Sequence, residues 1–368
     1  MEIIHLILGK ANPNRMNGVN KVVHQLVSKQ FEFGEKVSIW GITKELTHNY
    51  EKRDFETRLF KANKNTFVLD KKLKKAILTK KSDVIFHFHG GWILTYFSLS
   101  YFLNKHSIPY IITPHGAYNT IAMQRSKWIK KVYFKLFERT VLNNSYKIHL
   151  IGESEIIGLQ KMYKNSKTEL IPYGFEATQT TSVEKINNTD FVIGFVGRLD
   201  IYTKGLDLLV NSFKEFQKGR SNAKLWIIGD SEEKVILENL IKKNNISKKT
   251  TLWGKQFGED KIKLMQQMDV FVHSSRNEGL PTSVLEACDL GIPVAVTKAT
   301  NMGTSIESTN AGIVINNEDK YALTKAFLDL YKKKENGQLT QLGINGQEMV
   351  KKIYNWKKVI NEFNVLYT

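Results

Sequence analysis

The stretch "SSRNEGLPTSVLEACDLGIPVAV", residues 274–296, carries Glu278 in a glycine turn and Glu286 eight positions further on. The preceding run "VFVHSS" reads as a strand ending near Ser275, Arg276 to Gly279 as a turn, and Pro281 as a residue suited to the first turn of a helix. Glu278 then precedes the helix and Glu286 sits inside it. The N–H groups of Gly279, Leu280 and Thr282 point out of the helix start, where negative charge is favoured. One carboxylate beside such an anion site can accept hydrogen bonds from sugar hydroxyls, and a second can grip a ribose diol. Spacing alone fits an ordinary turn glutamate and an ordinary helical one equally well.

A second constellation is "VGRLDIYTKGLDLL", residues 196–209. The strand "FVIGFVG" ends in Gly197; Arg198 follows, and Lys204 and Gly205 open a helix. Two cations at a strand end beside free N–H groups suit a diphosphate, although a solvated loop with incidental charges is the plain alternative. Among the histidines, His87 and His89 in "VIFHFHGGW" share one face of a strand, which makes a two-histidine metal site conceivable. No third ligand at suitable spacing stands out, so no metal is expected. His5 and His273 lie inside apolar strand runs and read as satisfied core residues. His115 differs, because it precedes Gly116 at a strand end, where a polar side chain reaches a ligand in open α/β sheets; a plain turn role is the other reading.

Positioning these groups requires parallel α/β layers. Short β-branched and aromatic runs alternate with amphipathic stretches throughout. In the first half the strands are "IIHLIL", "KVSIWGI", "TFVL", "VIFHFHG", "YIITPHG", "KIHLIGES" and "TELIPYG". In the second they are "FVIGFVGR", "KLWIIGD", "TTLWG", "VFVHSS", "PVAVT" and "AGIVIN". Residues 203–219, 231–244 and 318–333 have helical apolar periodicity. Two doubly wound domains follow, joined by the polar stretch 176–190 and expected to face one another across a cleft.

The length of 368 residues also predicts two domains. The sole cysteine, Cys288, excludes an internal disulfide framework and fits a reducing compartment. No secretory signal is read at the start, because the apolar run of "MEIIHLILGK" ends at Leu8, and no segment reaches the ~20 apolar residues of a membrane span. A cytoplasmic location is expected. The net charge of +18 is uneven: residues 1–180 hold 28 Lys/Arg against 14 Asp/Glu, and residues 181–368 hold 26 against 22. A basic first half attracts anionic headgroups, nucleic acid or phosphorylated substrates. The basic stretches "DKKLKKAILTKK" and "MQRSKWIKKVYFKLFER" place apolar residues at helical spacing, which fits a stripe packed on the sheet or a helix lying on an anionic bilayer.

"EGLPTSVLEACDLGIPVAV" resembles the E-x(7)-E signature of retaining glycosyltransferases with the GT-B fold, specifically glycosyltransferase family four. In order along the chain stand "NGVNKVV", "PHG" at 114–116, "GES" at 152–154, "IPYG" at 171–174 and "GRLDIYTKG". The resemblance implies an N-terminal acceptor-binding Rossmann-like domain over 1–178, a nucleotide-sugar-binding domain over 187–352 and a helix over 353–368 returning to the first. It implies that Arg198 and Lys204, after Gly197, hold the diphosphate of a UDP- or GDP-sugar. Glu286 would hold the ribose, Glu278 hydroxyls of the transferred sugar, and the turn Gly279, Leu280, Pro281 and Thr282 would line the same site. Gly18 would bring backbone close to the phosphates, and His115 would lie near the anomeric carbon. The sugar nucleotide would be a substrate, with no further cofactor. The acceptor would be a glycan or lipid-linked glycan, at the inner face of the cell membrane. Tyr173 and Glu176 depart from the usual Asn and Asp of "IPYGFE", so no role is carried to them. A nucleotide-sugar epimerase of the same fold is the first alternative. A nucleic-acid-binding protein is the second, but no helix-turn-helix, zinc-finger or RNA-recognition signature accompanies the charge. A dinucleotide oxidoreductase is disfavoured, since neither half has G-x-G-x-x-G after its first strand.

Overall fold

The computed structural model describes residues 1–12, 18–48, 50, 52–80, 82–124, 126–177 and 189–368. Most of the expected join, residues 178–188, therefore lies outside the described residues, as do Asn17 of "NGVNKVV" and Lys81 and Arg125 of the basic stretches. The chain divides into two compact units, one of residues 1–174 with 356–368 and one of residues 175–355.

The first unit holds seven strands: β1 (Glu2–Leu8), β2 (Val37–Thr43), β3 (Glu56–Lys61), β4 (Val84–His89), β5 (Tyr110–Thr113), β6 (Lys147–Leu150) and β7 (Thr168–Leu170). They form one parallel sheet in the order β3-β2-β1-β4-β5-β6-β7. The second unit holds β8 (Phe191–Val196), β9 (Ala223–Ile228), β10 (Thr250–Gly254), β11 (Val270–His273), β12 (Val294–Thr297) and β13 (Gly312–Ile315). Its parallel order is β10-β9-β8-β11-β12-β13. Each order reverses once, between β1 and β4 and between β8 and β11, and those switch points are where doubly wound sheets open a ligand crevice beyond their carboxyl ends.

One expected strand is corrected. "TFVL", residues 66–69, is a turn, and the outermost strand of the first sheet is "ETRLFK" at β3. Its charged, half-exposed residues hide the strand from a search for apolar runs, and such charges are how an edge strand is kept from pairing with another chain. The expected helices are present as Leu206–Phe216, Lys234–Lys243 and Lys320–Glu335. The last is capped by Asp319, whose carboxylate accepts from the Ala322 amide at 2.8 Å.

The two units fill their sheet faces differently. In the second, both faces are apolar: Phe191, Ile193 and Phe195 on one, Val192, Phe271 and Val294 on the other. In the first, Ile4, Leu6, Phe86, Phe88, Ile112 and Ile148 fill one face. On the opposite face stand His5, His87, His89, Thr113 and His149, all buried. The final helix, Trp356–Tyr367, belongs to this unit. Trp356 sits where a Cβ on Gly174 would come within 2.4 Å of its ring, and Phe363 meets the His149 ring at 4.8 Å.

Burial lowers the pKa of His5 to about 3 and of His149 to about 4, and holds His87 and His89 well below 6.5. The folded unit keeps these rings neutral while the unfolded chain protonates them near 6.5. Their stabilisation is therefore complete above that pH and is lost on acidification, at roughly 1.4 kcal/mol per pH unit for each ring. Buried Glu138 and Glu155 act oppositely, because burial raises them to about 6 and about 7, so their contribution fades as pH rises through those values. His115, which burial lowers to about 3, adds a fifth ring, and five rings outweigh two carboxyls. Urea unfolding should show the protein less stable at pH 5.5 than at pH 7.5 by on the order of 4 kcal/mol. Equal midpoints would show that the histidine layer is not neutral.

Candidate active site

In the second unit the site is built where the loop after β8 meets the loop after β11. Gly197 continues the sheet, its amide donating to the Ile228 carbonyl at 3.0 Å. The chain then turns on Asp200, whose side chain accepts from the Thr203 amide at 2.7 Å. At Gly205, φ is +64°, and a Cβ there would lie 2.0 Å from the Ser274 carbonyl oxygen. Only glycine lets the two loops press together so closely. Arg276, 8% exposed, locks them. Its guanidinium binds Asp207 with two hydrogen bonds of 2.8 and 2.9 Å, donates to the Tyr202 carbonyl at 2.7 Å and stacks on the Tyr202 ring. From sequence it was only a turn residue.

This closure puts Lys204 and Glu278 in contact. Oε1 of Glu278 receives three donors: Lys204 Nζ at 2.5 Å, His273 Nε2 at 2.8 Å and Ser275 Oγ at 2.8 Å. Burial by itself would raise the carboxyl's pKa. The His273 hydrogen bond and the Lys204 charge outweigh it and bring the pKa down to about 2. Glu278 is thus an ionised acceptor whose Oε2 has no protein partner among the described residues. His273 is buried, but it is not the satisfied core residue expected from sequence: it orients Glu278, and its Nδ1 has no hydrogen bond. Asn301 fixes the turn from below, donating to the carbonyls of Glu278 and Gly279 at 2.8 Å each.

The helix Thr282–Asp289 starts directly after this turn, with Pro281 at its cap. The amides of Gly279, Leu280 and Thr282 have no acceptor among the described residues, leaving donors at the positive end of the helix. Arg198 is 66% exposed on its side chain and is paired with Asp200 at 2.8 Å. Glu286, one turn inside the helix, holds Lys261 with both oxygens at 2.8 Å. Lys261 comes from the separate helix Gly258–Gln266, a pairing that spacing could not show.

In the first unit, His115 follows β5 in a left-handed conformation, φ +54°, with Gly116 at φ +84°. Glu155, buried at the start of the helix Glu153–Gln160, accepts from the Gly116 amide at 2.6 Å and the Ile151 amide at 3.1 Å, so the residue after "GES" holds the "PHG" turn. Gly18 is the first residue of the helix Gly18–Glu32. The expectation of only two clustered histidines is also corrected. The register of β1 with β4 sets His5 opposite His87, and His5, His87 and His89 bring ligand nitrogens within 4.8 Å of one another. Sequence spacing missed His5 because it is a neighbour across strands 82 residues apart.

Two parallel α/β units, one carrying cations, a helix N-terminus and an ionised carboxylate at its switch point, have the architecture of the GT-B fold. Comparison with known proteins places the chain within it. Residues 16–179 match the model for Glycosyltransferase Family 4 and residues 177–349 the model for Glycosyl transferases group 1, so the chain belongs to the group 1 glycosyltransferases of family four type. It is 32% identical over 174 residues to the uncharacterized glycosyltransferase MJ1059 of Methanocaldococcus jannaschii, covering 47% of this chain and 37% of that protein. It is 27% identical over 192 residues to the alpha-monoglucosyldiacylglycerol synthase of Acholeplasma laidlawii, covering 52% of this chain and 45% of that one. The match therefore spans less than half the length of either relative. The fold is that of Anabaena HepE, solved in complex with UDP, at a TM-score of 0.75 and 14% identity over 99% of both chains.

The close approach at Gly205 is testable. Gly205→Ala should lower unfolding free energy by more than about 1 kcal/mol, because the alanine combines positive φ with overlap against Ser274. Unchanged stability in a denaturant titration would show that the two loops are not pressed together as described.

Proposed function

We propose that the protein transfers a sugar from a nucleotide-sugar donor to a glycan or lipid-linked glycan, with retention of configuration and without a bound metal. The observation that carries this is Glu278, with one oxygen saturated by Lys204, His273 and Ser275 and the other free to accept from sugar hydroxyls. On the same two loops stand Arg198 and the free amides of Gly279, Leu280 and Thr282, suited to a diphosphate. As the glycosidic bond breaks, charge grows on the leaving diphosphate, and these groups stabilise it without reorganising. Glu286 would accept from the ribose diol, sharing its carboxylate with Lys261. His115 would lie near the anomeric carbon, and Gly18 near the phosphates. A UDP-sugar is favoured by the UDP bound in HepE. The epimerase alternative gains nothing from the comparisons.

The chain contains no Asp-x-Asp triplet to hold a divalent ion on the diphosphate. Arg198 and Lys204 would serve instead. Transfer from a UDP- or GDP-sugar should therefore continue in EDTA, while Arg198→Ala and Lys204→Ala should each cut kcat by about 100-fold or more with the fold intact. A reaction stopped by EDTA and restored by magnesium, or near-normal turnover in either variant, defeats this assignment of the phosphate site.

For the acceptor, the first unit offers a cavity of about 530 Å³ at the carboxyl ends of β1 to β3, lined by Leu8, Gly9, Thr43, Lys44, Lys61 and Lys64. Its three lysines suit an acceptor bearing phosphate. No helix among the described residues is long and apolar enough to cross a membrane. The basic helix Lys127–Tyr133 and the π-turn Phe134–Glu138 that continues it instead turn an apolar stripe to solvent: Trp128 is 76% exposed, Ile129 72%, Val132 60% and Leu136 57%. Lys127, Lys130, Lys131 and Lys135 flank the stripe. An anionic bilayer at the inner face of the cell membrane is the surface this combination suits, each nearby cation contributing roughly 1 kcal/mol. The glycolipid product named in the Acholeplasma relative agrees with it. Vesicles containing anionic lipid should bind the protein at low salt, and Trp128→Glu with Ile129→Glu should abolish the binding. Failure of the native protein to bind removes the membrane from the proposal.

A further inference from the structure

The buried histidines of the first unit form two hydrogen-bonded chains, and the direction of the first follows from one group that can only accept. The Ile171 carbonyl lies 2.7 Å from His149 Nε2, so that nitrogen carries the proton and, in the neutral ring, Nδ1 is a lone pair. The Thr113 hydroxyl donates to that Nδ1 at 2.7 Å, and its oxygen accepts from His87 Nε2–H at 2.6 Å. His87 Nδ1 is then an acceptor, filled by the Tyr367 hydroxyl at 2.7 Å, and the Tyr367 oxygen accepts from the Gln30 amide at 3.3 Å.

Gln30 is thereby oriented, with its NH₂ toward Tyr367 and its Oε1 left as an acceptor. That Oε1 is buried with no hydrogen bond of good geometry, and so is His5 Nε2. The Gln30 side chain nevertheless lies within reach to hydrogen-bond the His5 ring. With that oxygen as its neighbour, Nε2 is the His5 nitrogen on which a buried proton costs less, which puts the proton there. His5 Nδ1 must then accept from His89 Nε2–H at 2.9 Å, and His89 Nδ1 from His115 Nε2–H at 2.9 Å.

We propose that Gln30, acting through His5 and His89, fixes the tautomer of His115, with the proton on Nε2 and the lone pair on Nδ1. His115 then presents an acceptor to whatever reaches Nδ1, and its ligand there is a hydroxyl group. The Tyr173 hydroxyl stands 3.5 Å from that nitrogen, a separation too long for a firm bond and readily exchanged for a better donor. Gln30, His5 and His89 are positioning residues. That the incoming hydroxyl belongs to a sugar rests on the function proposed above; the tautomer does not. A metal centre is the weaker reading of His5, His87 and His89, because both ring nitrogens of His87 and His89 and Nδ1 of His5 already have protein partners.

The test is a long-range ¹H–¹⁵N correlation on the full chain labelled at histidine, with His115 assigned from the His115→Gln spectrum. The proton should reside on His115 Nε2. In Gln30→Met, which keeps length and loses the acceptor, His115 should shift toward the Nδ1–H form and kcat should fall about tenfold with the donor KM unchanged. Gln30→Glu, which retains an acceptor oxygen, should restore both. A native His115 protonated on Nδ1 overturns the inference, whether or not any variant folds, and so does an unaltered tautomer in folded Gln30→Met. If the tautomer is as stated while His115→Gln transfers sugar at the native rate, the tautomer relay stands and the role of His115 in transfer falls.

Discussion

A carboxylate removed from water must be neutralised and hydrogen-bonded where it stands, or it takes up a proton. Glu278 meets that demand with a lysine, an imidazole and a hydroxyl on one oxygen, and the second unit is arranged to allow it. Lys204 reaches Glu278 because Gly205 lets its loop lie against the Ser274 carbonyl, and the loops stay together because Arg276 is bonded into the first of them. His273 reaches it as the last residue of β11, from inside the sheet. Remove the glycine and the lysine moves away. Remove the lysine, and an ionised acceptor becomes a carboxyl drawn toward protonation by its own burial.

The topology explains why these residues meet at all. Lys204 and Glu278 are 74 positions apart and follow strands that are not consecutive. They are adjacent because β11 is laid beside β8 after the chain has moved outward through β9 and β10. Loops after neighbouring strands on either side of a switch point diverge, so side chains from both can enter the gap while each loop stays anchored to its own strand. The same reversal in the first unit sets β4 beside β1, and through it His87 beside His5.

Much of this was legible in the sequence, and the remainder divides by physical cause. The apolar runs of the buried parallel strands, the turn before Thr282 and the cations after β8 announce themselves, because local composition alone determines them. The edge strand β3 does not, because half-exposed charged residues carry no apolar signal. Arg276, Lys261, Ser275 and Asn301 carry no functional signal in the sequence for another reason. Their roles depend on partners far along the chain or on backbone carbonyls, and residue type says nothing of either. His273 was misread by the same logic that placed it correctly: burial on a strand is real, but the ring at the strand's end faces a carboxylate. The exposed stripe at Trp128 and Ile129 has the periodicity of a packed helix, and only the structure shows which way it faces.

The unlike second faces of the two sheets bear on how the last helix finds its place. An apolar face accepts an apolar helix in many registers, since dispersion and hydrophobic burial are not directional. A face with polar rings accepts only a helix that satisfies them, because each unpaired buried group costs about 1 to 3 kcal/mol. Tyr367 supplies the donor that His87 Nδ1 requires and the acceptor that Gln30 requires, while Phe363 of the same helix packs on His149 and Tyr173. Shifting the helix by one residue would rotate Tyr367 by about 100° and strand both partners. The polar layer thus gives up some hydrophobic burial for a specified register, that of the helix Trp356–Tyr367.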